Sequence, residues 1–275
     1  MQFIKRFFQF YIFSNIHVAV GVFCLVKITL LSYNISENNT ALFVFFSTII
    51  AYNFIRFLRI SDIVNWFTDW MENAKSALYA LIVFSILAVI ILAFSIQIKA
   101  FLWLIPFGIF TFFYGFPFPF KNIPLRNIAG VKLFLIAISF AGITVLFPLV
   151  QNNIEINLNV WITFIQRFLF IVLVAIPFDI RDLHIDSKSL KTLPQMVGVK
   201  KAKMIGVLLG VLFVMLEFFK EFIDQKQLIV ILVVSIVSVL FLMNSTKKQS
   251  KYYSAFWVET LPIFWFLLMI LIINM

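Results

Sequence analysis

Long, nearly uncharged apolar runs alternate with short polar segments along the whole chain, and that alternation predicts its elements. Runs near residues 11–32, 40–60, 77–97, 100–116, 127–150, 160–178, 203–219, 227–243 and 254–274 each hold roughly 17 to 24 residues, enough helix to cross a hydrocarbon layer ~30 Å thick. They lack the two-residue alternation of membrane β-strands, which sets a barrel aside. The predicted fold is an all-α polytopic membrane bundle of about nine transmembrane helices, organised as a single domain over residues 1–275. Lys5 and Arg6 precede the first run as they would in a signal peptide, but the run is long and no small-residue cleavage site follows. It reads as a retained span.

Composition agrees: 63% of the residues are hydrophobic, 12% are charged, and the mean hydropathy is +1.06. An ordinary soluble domain carries about 25% charged residues, so the solvent here is lipid. Cys24, the sole cysteine, excludes an intrachain disulfide and leaves the redox compartment open. The net charge of +10 suggests an anionic partner until its 22 basic residues are sorted by side. With nine spans, 17 fall on the side of the N-terminus, 3 on the other, and 2, Lys27 and Arg167, lie within spans. By the positive-inside rule the N-terminus is cytoplasmic and the C-terminus lies on the opposite side, with a cell (plasma) membrane as the expected location. Most of the charge states topology, and no nucleic-acid partner is needed to explain it.

The longest polar stretches, residues 61–76 and 179–203, lie on the cytoplasmic side, so function is sought there. There is no glycine-rich phosphate loop, no Cys/His metal cluster and no Ser/His/Asp set. Asp179, Asp182 and Asp186 stand within eight positions at the end of the sixth run. On a continuing helix they fall at about 0°, −60° and −20°, on one face. Like charges so spaced repel, and the helix dipole disfavours anions at a C-terminus, so the arrangement wants a cation. A Mg²⁺ ion taking one or two carboxylates and sharing its other positions with water and phosphate meets that need; solvated carboxylates neutralised by Arg181, Lys188 and Lys191 meet it too.

The three aspartates, followed by Lys191, Thr192, Leu193, Pro194 and then Gly198, resemble the second aspartate-rich motif of the UbiA superfamily of intramembrane prenyltransferases. The stretch from Tyr114 to Gly130, with Lys121, Arg126 and Asn127, is similar to that family's basic loop between the fourth and fifth spans, and nine spans is its architecture. The resemblance implies a helical bundle around a central cavity, with Asp179, Asp182 and Asp186 holding Mg²⁺ at a cytoplasmic mouth and Asp182 and Asp186 taking part in catalysis. It further implies a prenyl diphosphate as donor and an aromatic or other lipid-soluble acceptor. Asn53, Arg56, Arg59, Lys121, Arg126, Arg181 and Lys191 are the implied diphosphate contacts.

The family's first motif, NDxxDxxxD, is altered here: Asn53 begins it, but Phe54, Phe57 and Ser61 stand at the carboxylate positions and Asp62 falls one residue late. Arg56 and Arg59 share a stripe with Asn53 about 120° wide. These arginines grip diphosphate oxygens directly, or pair with the aspartates of the second motif and fill the site, or serve only as cytoplasmic anchors. The expected function is Mg²⁺-assisted prenyl transfer; the alternative is a non-catalytic lipid-binding or scaffold protein of the same fold. A transporter is the weaker third reading. Arg167 and Lys27 are expected to snorkel toward the interface, His17 to make a helix contact, and Glu217 has no partner that the sequence identifies.

Overall fold

The structure is a computed structural model that describes residues 2–57, 65–119 and 123–273. Its helices in chain order are α1 (Gln2–Phe13), α2 (Ile16–Ser32), α3 (Asn39–Phe57), α4 (Asn65–Asn73), α5 (Lys75–Ala93), α6 (Ile98–Gly115), α7 (Val131–Ala141), α8 (Phe147–Gln151), α9 (Leu158–Arg181), α10 (Leu193–Met215), α11 (Gln225–Asn244) and α12 (Leu261–Ile273). A π turn over Gly142–Leu146 joins α7 to α8, and a second, Tyr253–Val258, precedes α12. Two-residue strands β1 (Pro117–Phe118) and β2 (Ile123–Pro124) pair antiparallel in the loop after α6. Among the described residues, eight helical stretches are long and apolar enough to cross a membrane, and nine if the bent pair α1 and α2 counts as one span.

Two spans differ from the sequence pattern. The first apolar run is broken at Ser14 and Asn15: α1 ends at Phe13, Asn15 takes the left-handed conformation (φ 69°), and the helix axes differ by 57°. Asparagine tolerates that conformation because its short polar side chain bonds locally, so two polar residues suffice to end a helix inside an apolar run. The seventh span opens with a short helical piece from Leu193, ten residues before the apolar run at 203, and is kinked at Gly198 (φ 80°, ψ 158°) before it continues. Gln195 Oε1 accepts from the Thr192 N–H, and Pro194 lies in the first turn, where its missing N–H costs nothing. Lys200, Lys201 and Lys203 lower the hydropathy of this turn-rich start without ending the helix.

Helix α9 runs through the interior and packs on α7, α10 and α11, while α2 packs on α3 and α12. Phe170, Phe213 and Trp265 interlock where α9, α10 and α12 meet, with ring centroids 5.0 to 5.9 Å apart. Such ring pairs add about 0.5–1.5 kcal/mol each beyond their area burial. Gly206 and Gly210 let α10 approach closely, since a Cβ on Gly206 would stand 2.1 Å from a Leu242 methyl. Without a hydrophobic drive between helices in lipid, this backbone proximity is what packing relies on. Helices α5 and α6 turn exposed Phe84, Ile91 and Leu102 outward as a lipid face.

The polar residues inside the spans are tied to neighbours. Arg167 does not snorkel: it is 1% exposed, donates to the Leu25 carbonyl (2.8 Å), Thr144 Oγ1 (3.2 Å) and Thr29 Oγ1 (3.3 Å), and lies over the Trp265 ring. Glu217 has partners that the sequence did not identify, Lys220 at 2.8 Å and Gln166 Nε2 at 2.9 Å. Lys27 reaches the loop after α2 through the Glu37 carbonyl and Asn38 Oδ1. His17 accepts from the Tyr11 hydroxyl at Nδ1 and donates from Nε2 to the Phe256 carbonyl, joining α2 to the start of the last span. Replacing Arg167 with alanine removes three hydrogen bonds that tie α9 to α2 and to the π turn after α7, so Arg167→Ala is expected to destabilise the detergent-solubilised protein by about 1–3 kcal/mol. An unchanged thermal unfolding midpoint refutes this role.

Candidate functional site

Polar ends of α3 and α9, the break between α1 and α2, and the π turn before α12 converge on a cavity of about 1010 Å³. That lies at the upper limit of the ~300–1,000 Å³ usual for ligand pockets. Its body is aromatic, with Phe43, Phe110 and Phe140 among its walls, and its polar lining includes Arg56, Arg181, Asp182, Lys251, Gln249 and Glu259. α4 contributes Phe67, whose ring packs edge-on against Phe13 of α1.

The aspartate segment is held in place by its own local structure. α9 ends at Arg181, a 3₁₀ turn carries Asp182–His184, and the Asp186 N–H returns to the Asp182 carbonyl at 2.7 Å. Gln195 Nε2, at the start of α10, donates to the Asp186 carbonyl. Asp179 and Asp186 therefore face one point, and the Lys132 ammonium of α7 occupies it, 3.0 Å from Asp179 Oδ1 and 2.9 Å from Asp186 Oδ2. Asp182 turns to the cavity instead, and Arg181 grips both its oxygens, Nε to Oδ1 at 2.7 Å and Nη2 to Oδ2 at 2.9 Å. The expected cation is thus present as two protein side chains. Lys132 is brought there by the loop before α7, where the Gly130 N–H donates to the Leu190 carbonyl and Gly130 takes a φ of 74°.

On α3, Asn53 and Arg56 part company. Asn53 is 1% exposed, and its amide donates to the Ser14 and Ile49 carbonyls, so its donors bind the helix break and its own helix. Arg56 lines the cavity, donates to the Phe13 carbonyl and Asn15 Oδ1, and lies over the Phe67 ring at 4.9 Å. The guanidinium has five N–H donors, and these two contacts use one on each terminal nitrogen. Of the three roles open to it, Arg56 does not take that of pairing with Asp179, Asp182 or Asp186; Lys132 and Arg181 make those ion pairs.

The other expected contacts separate. Arg126 stands beside Tyr114, Lys132 and Asp186 in a recess of about 20 Å³, next to the ion-paired aspartates and separated from the main cavity by Tyr114, which lines both. Lys191 is exposed in the loop before α10, with φ 45°. Arg59 and Lys121 lie outside the described residues, as do Ser61 and Asp62. Sequence reasoning missed Lys132, counted only as a cytoplasmic charge, and Glu259, which lines the cavity and interacts electrostatically with Arg181 and Arg56. An acidic residue within an apolar run was the available signal for Glu259.

The donor set does not fit a resident Mg²⁺. That ion needs a near-octahedral oxygen shell at about 2.0–2.1 Å. Asp182 gives both oxygens to Arg181, and Asp179 and Asp186 each give one to Lys132. The remaining Asp179 oxygen is buried without a hydrogen-bond partner, but it lies on a carboxylate already facing the ammonium. Among the described residues no group of three or more Asp, Glu, His or Cys side chains converges as a metal set.

No family model and no curated protein matches the chain by sequence. Among solved structures, it is similar to a UbiA homolog from Archaeoglobus fulgidus bound to GPP and Mg²⁺, with a TM-score of 0.58, 15% identity and 96% of each chain covered. Over nearly its whole length, then, this multi-pass helical chain has the fold of a UbiA-type membrane protein.

Proposed function

We propose that the protein is an integral membrane prenyltransferase-like protein that binds a prenyl diphosphate in the cavity and transfers its prenyl group to a lipid-soluble acceptor. The observation that carries this reading is the joining, in one cavity, of an aromatic body to the guanidiniums of Arg56 and Arg181. A prenyl diphosphate has that same division between an apolar tail and a dianionic or trianionic head. The fold neighbour bound to GPP supports the donor class. The mouth faces the cytoplasm, as the distribution of basic residues indicates.

In this reading Arg56 and Arg181 hold the diphosphate, and Asp182 positions Arg181 by its two-oxygen grip. The bond between C1 of the prenyl group and the bridging oxygen breaks, with the electron pair leaving on diphosphate. Guanidiniums fixed before the reaction stabilise that charge in a dry site. The aromatic walls exclude water from the allylic cation, a nucleophilic atom of the acceptor forms the bond to C1, and Glu259 takes the acceptor's proton. A second reading, binding without turnover, is favoured by the ion-paired state of Asp179, Asp182 and Asp186.

The deciding experiment supplies purified protein with geranyl, farnesyl and longer prenyl diphosphates and a panel of lipid-soluble phenols and quinols. Diphosphate release that depends on the acceptor supports transfer. Binding without release favours the second reading, and absence of binding across the panel overturns both. Glu259→Gln separates the role of its carboxylate: turnover falls about 10²-fold as a proton acceptor is lost. Affinity for the prenyl diphosphate holds or rises, because a negative charge near the head group has gone. Equal losses of binding and turnover contradict that assignment.

A further inference from the structure

We infer that the head-group site works without a divalent metal, because Lys132 is the resident cation of the aspartate motif. The inference rests on the prenyl-diphosphate reading above and concerns how that ligand is held. Its basis is the ion pairing: one ammonium lies 3.0 and 2.9 Å from two carboxylates on different turns. Asp179 is 3% exposed, and Lys132 comes from a different helix. A charge so enclosed is retained where it is paired, since removing one partner leaves an uncompensated buried charge.

The other half of the site has changed in the same sense. Where the first motif would carry carboxylates, α3 has Phe54 and Phe57, and it presents Arg56 to the cavity. Phe54 stacks on Phe116 and Phe57 on Tyr79, so both positions serve ring packing. The charges on the described residues thus meet an anion with guanidinium and ammonium groups where a metal-dependent site would offer carboxylates. Arginine forks suit phosphate oxygens directly, and such binding needs no bridging ion. Arg56 and Arg181 contact the diphosphate; Lys132 acts one step back, neutralising Asp179 and Asp186 so that the anion is not repelled.

The test measures binding of geranyl diphosphate to the detergent-solubilised full-length protein in excess EDTA and in excess MgCl₂. Dissociation constants within about threefold of each other support the inference. Binding at least tenfold weaker in EDTA overturns it and leaves the prenyl-diphosphate reading standing. No binding in either buffer overturns the reading and the inference with it. Lys132→Met supplies an independent readout. Once the ammonium is gone, Asp179 and Asp186 face one another, and Mg²⁺ raises the thermal unfolding midpoint of the variant but not that of wild type or of Lys132→Arg. Equal Mg²⁺ effects on all three proteins reject Lys132 as the stand-in cation.

Discussion

Arg56→Ala is expected to weaken geranyl diphosphate binding close to a thousandfold, about 4 kcal/mol, within the 2–5 kcal/mol typical of removing one side of a buried charged contact. Arg56 lines the cavity and is oriented by the Phe13 carbonyl and by Asn15 Oδ1, so its fork is fixed before the ligand arrives. Arg56→Lys keeps the charge but loses the planar fork, and an intermediate affinity is expected. Asn15→Ala leaves the guanidinium and removes one of its supports, so its effect is smaller. Equilibrium binding on the three variants checks the order. An Arg56→Ala dissociation constant within about threefold of wild type makes the residue an anchor and nothing more.

Gly108→Trp is expected to abolish binding of the prenyl chain while leaving binding of inorganic diphosphate intact. Gly108 lines the cavity from α6, and a Cβ added there meets no atom within 4 Å. The indole enters open space, not a packed core, and tryptophan is also a better helix former than glycine. A displaced tail forfeits about 0.8 kcal/mol per CH₂, so excluding about five carbons costs near 4 kcal/mol, or a thousandfold. Competition by diphosphate against a fluorescent diphosphate ester separates the two ends of the site. If Gly108→Trp binds geranyl diphosphate as wild type does, the tail lies elsewhere.

How far these features were legible depended on whether they are written locally. Spans announce themselves because a bilayer requires about 20 apolar residues in a row, and the bundle follows from that alone. The break at Asn15 was hidden, since two polar residues in an apolar run do not lower the hydropathy enough to register. The start of α10 was misplaced for the opposite reason: Lys200, Lys201 and Lys203 are polar yet helical. Within the site, the demand of Asp179, Asp182 and Asp186 for a cation was readable from their spacing. Which cation answers it was not, because Lys132 lies 47 residues from Asp179 and reaches it only through the tertiary fold. Thr192, Pro194 and Gly198, part of a motif in sequence, serve in the structure to begin and bend α10, where Gly198 takes a φ of 80°.

The π turn at Tyr253–Val258 gives the last span two registers. Each residue of an α-helix advances the direction of its side chain by about 100°, so one extra residue rotates everything beyond it by that amount relative to everything before. Lys251 before the turn, Ala255 within it and Glu259 just past it all line the cavity, while Trp265 and Met269 keep to the packed core. In an uninterrupted helix the angle between those two faces would be set by 100° per residue alone. With the inserted residue that angle changes by about 100°, so one span presents Lys251 to the chamber and Trp265 to the packed bundle from directions that a regular helix would not combine.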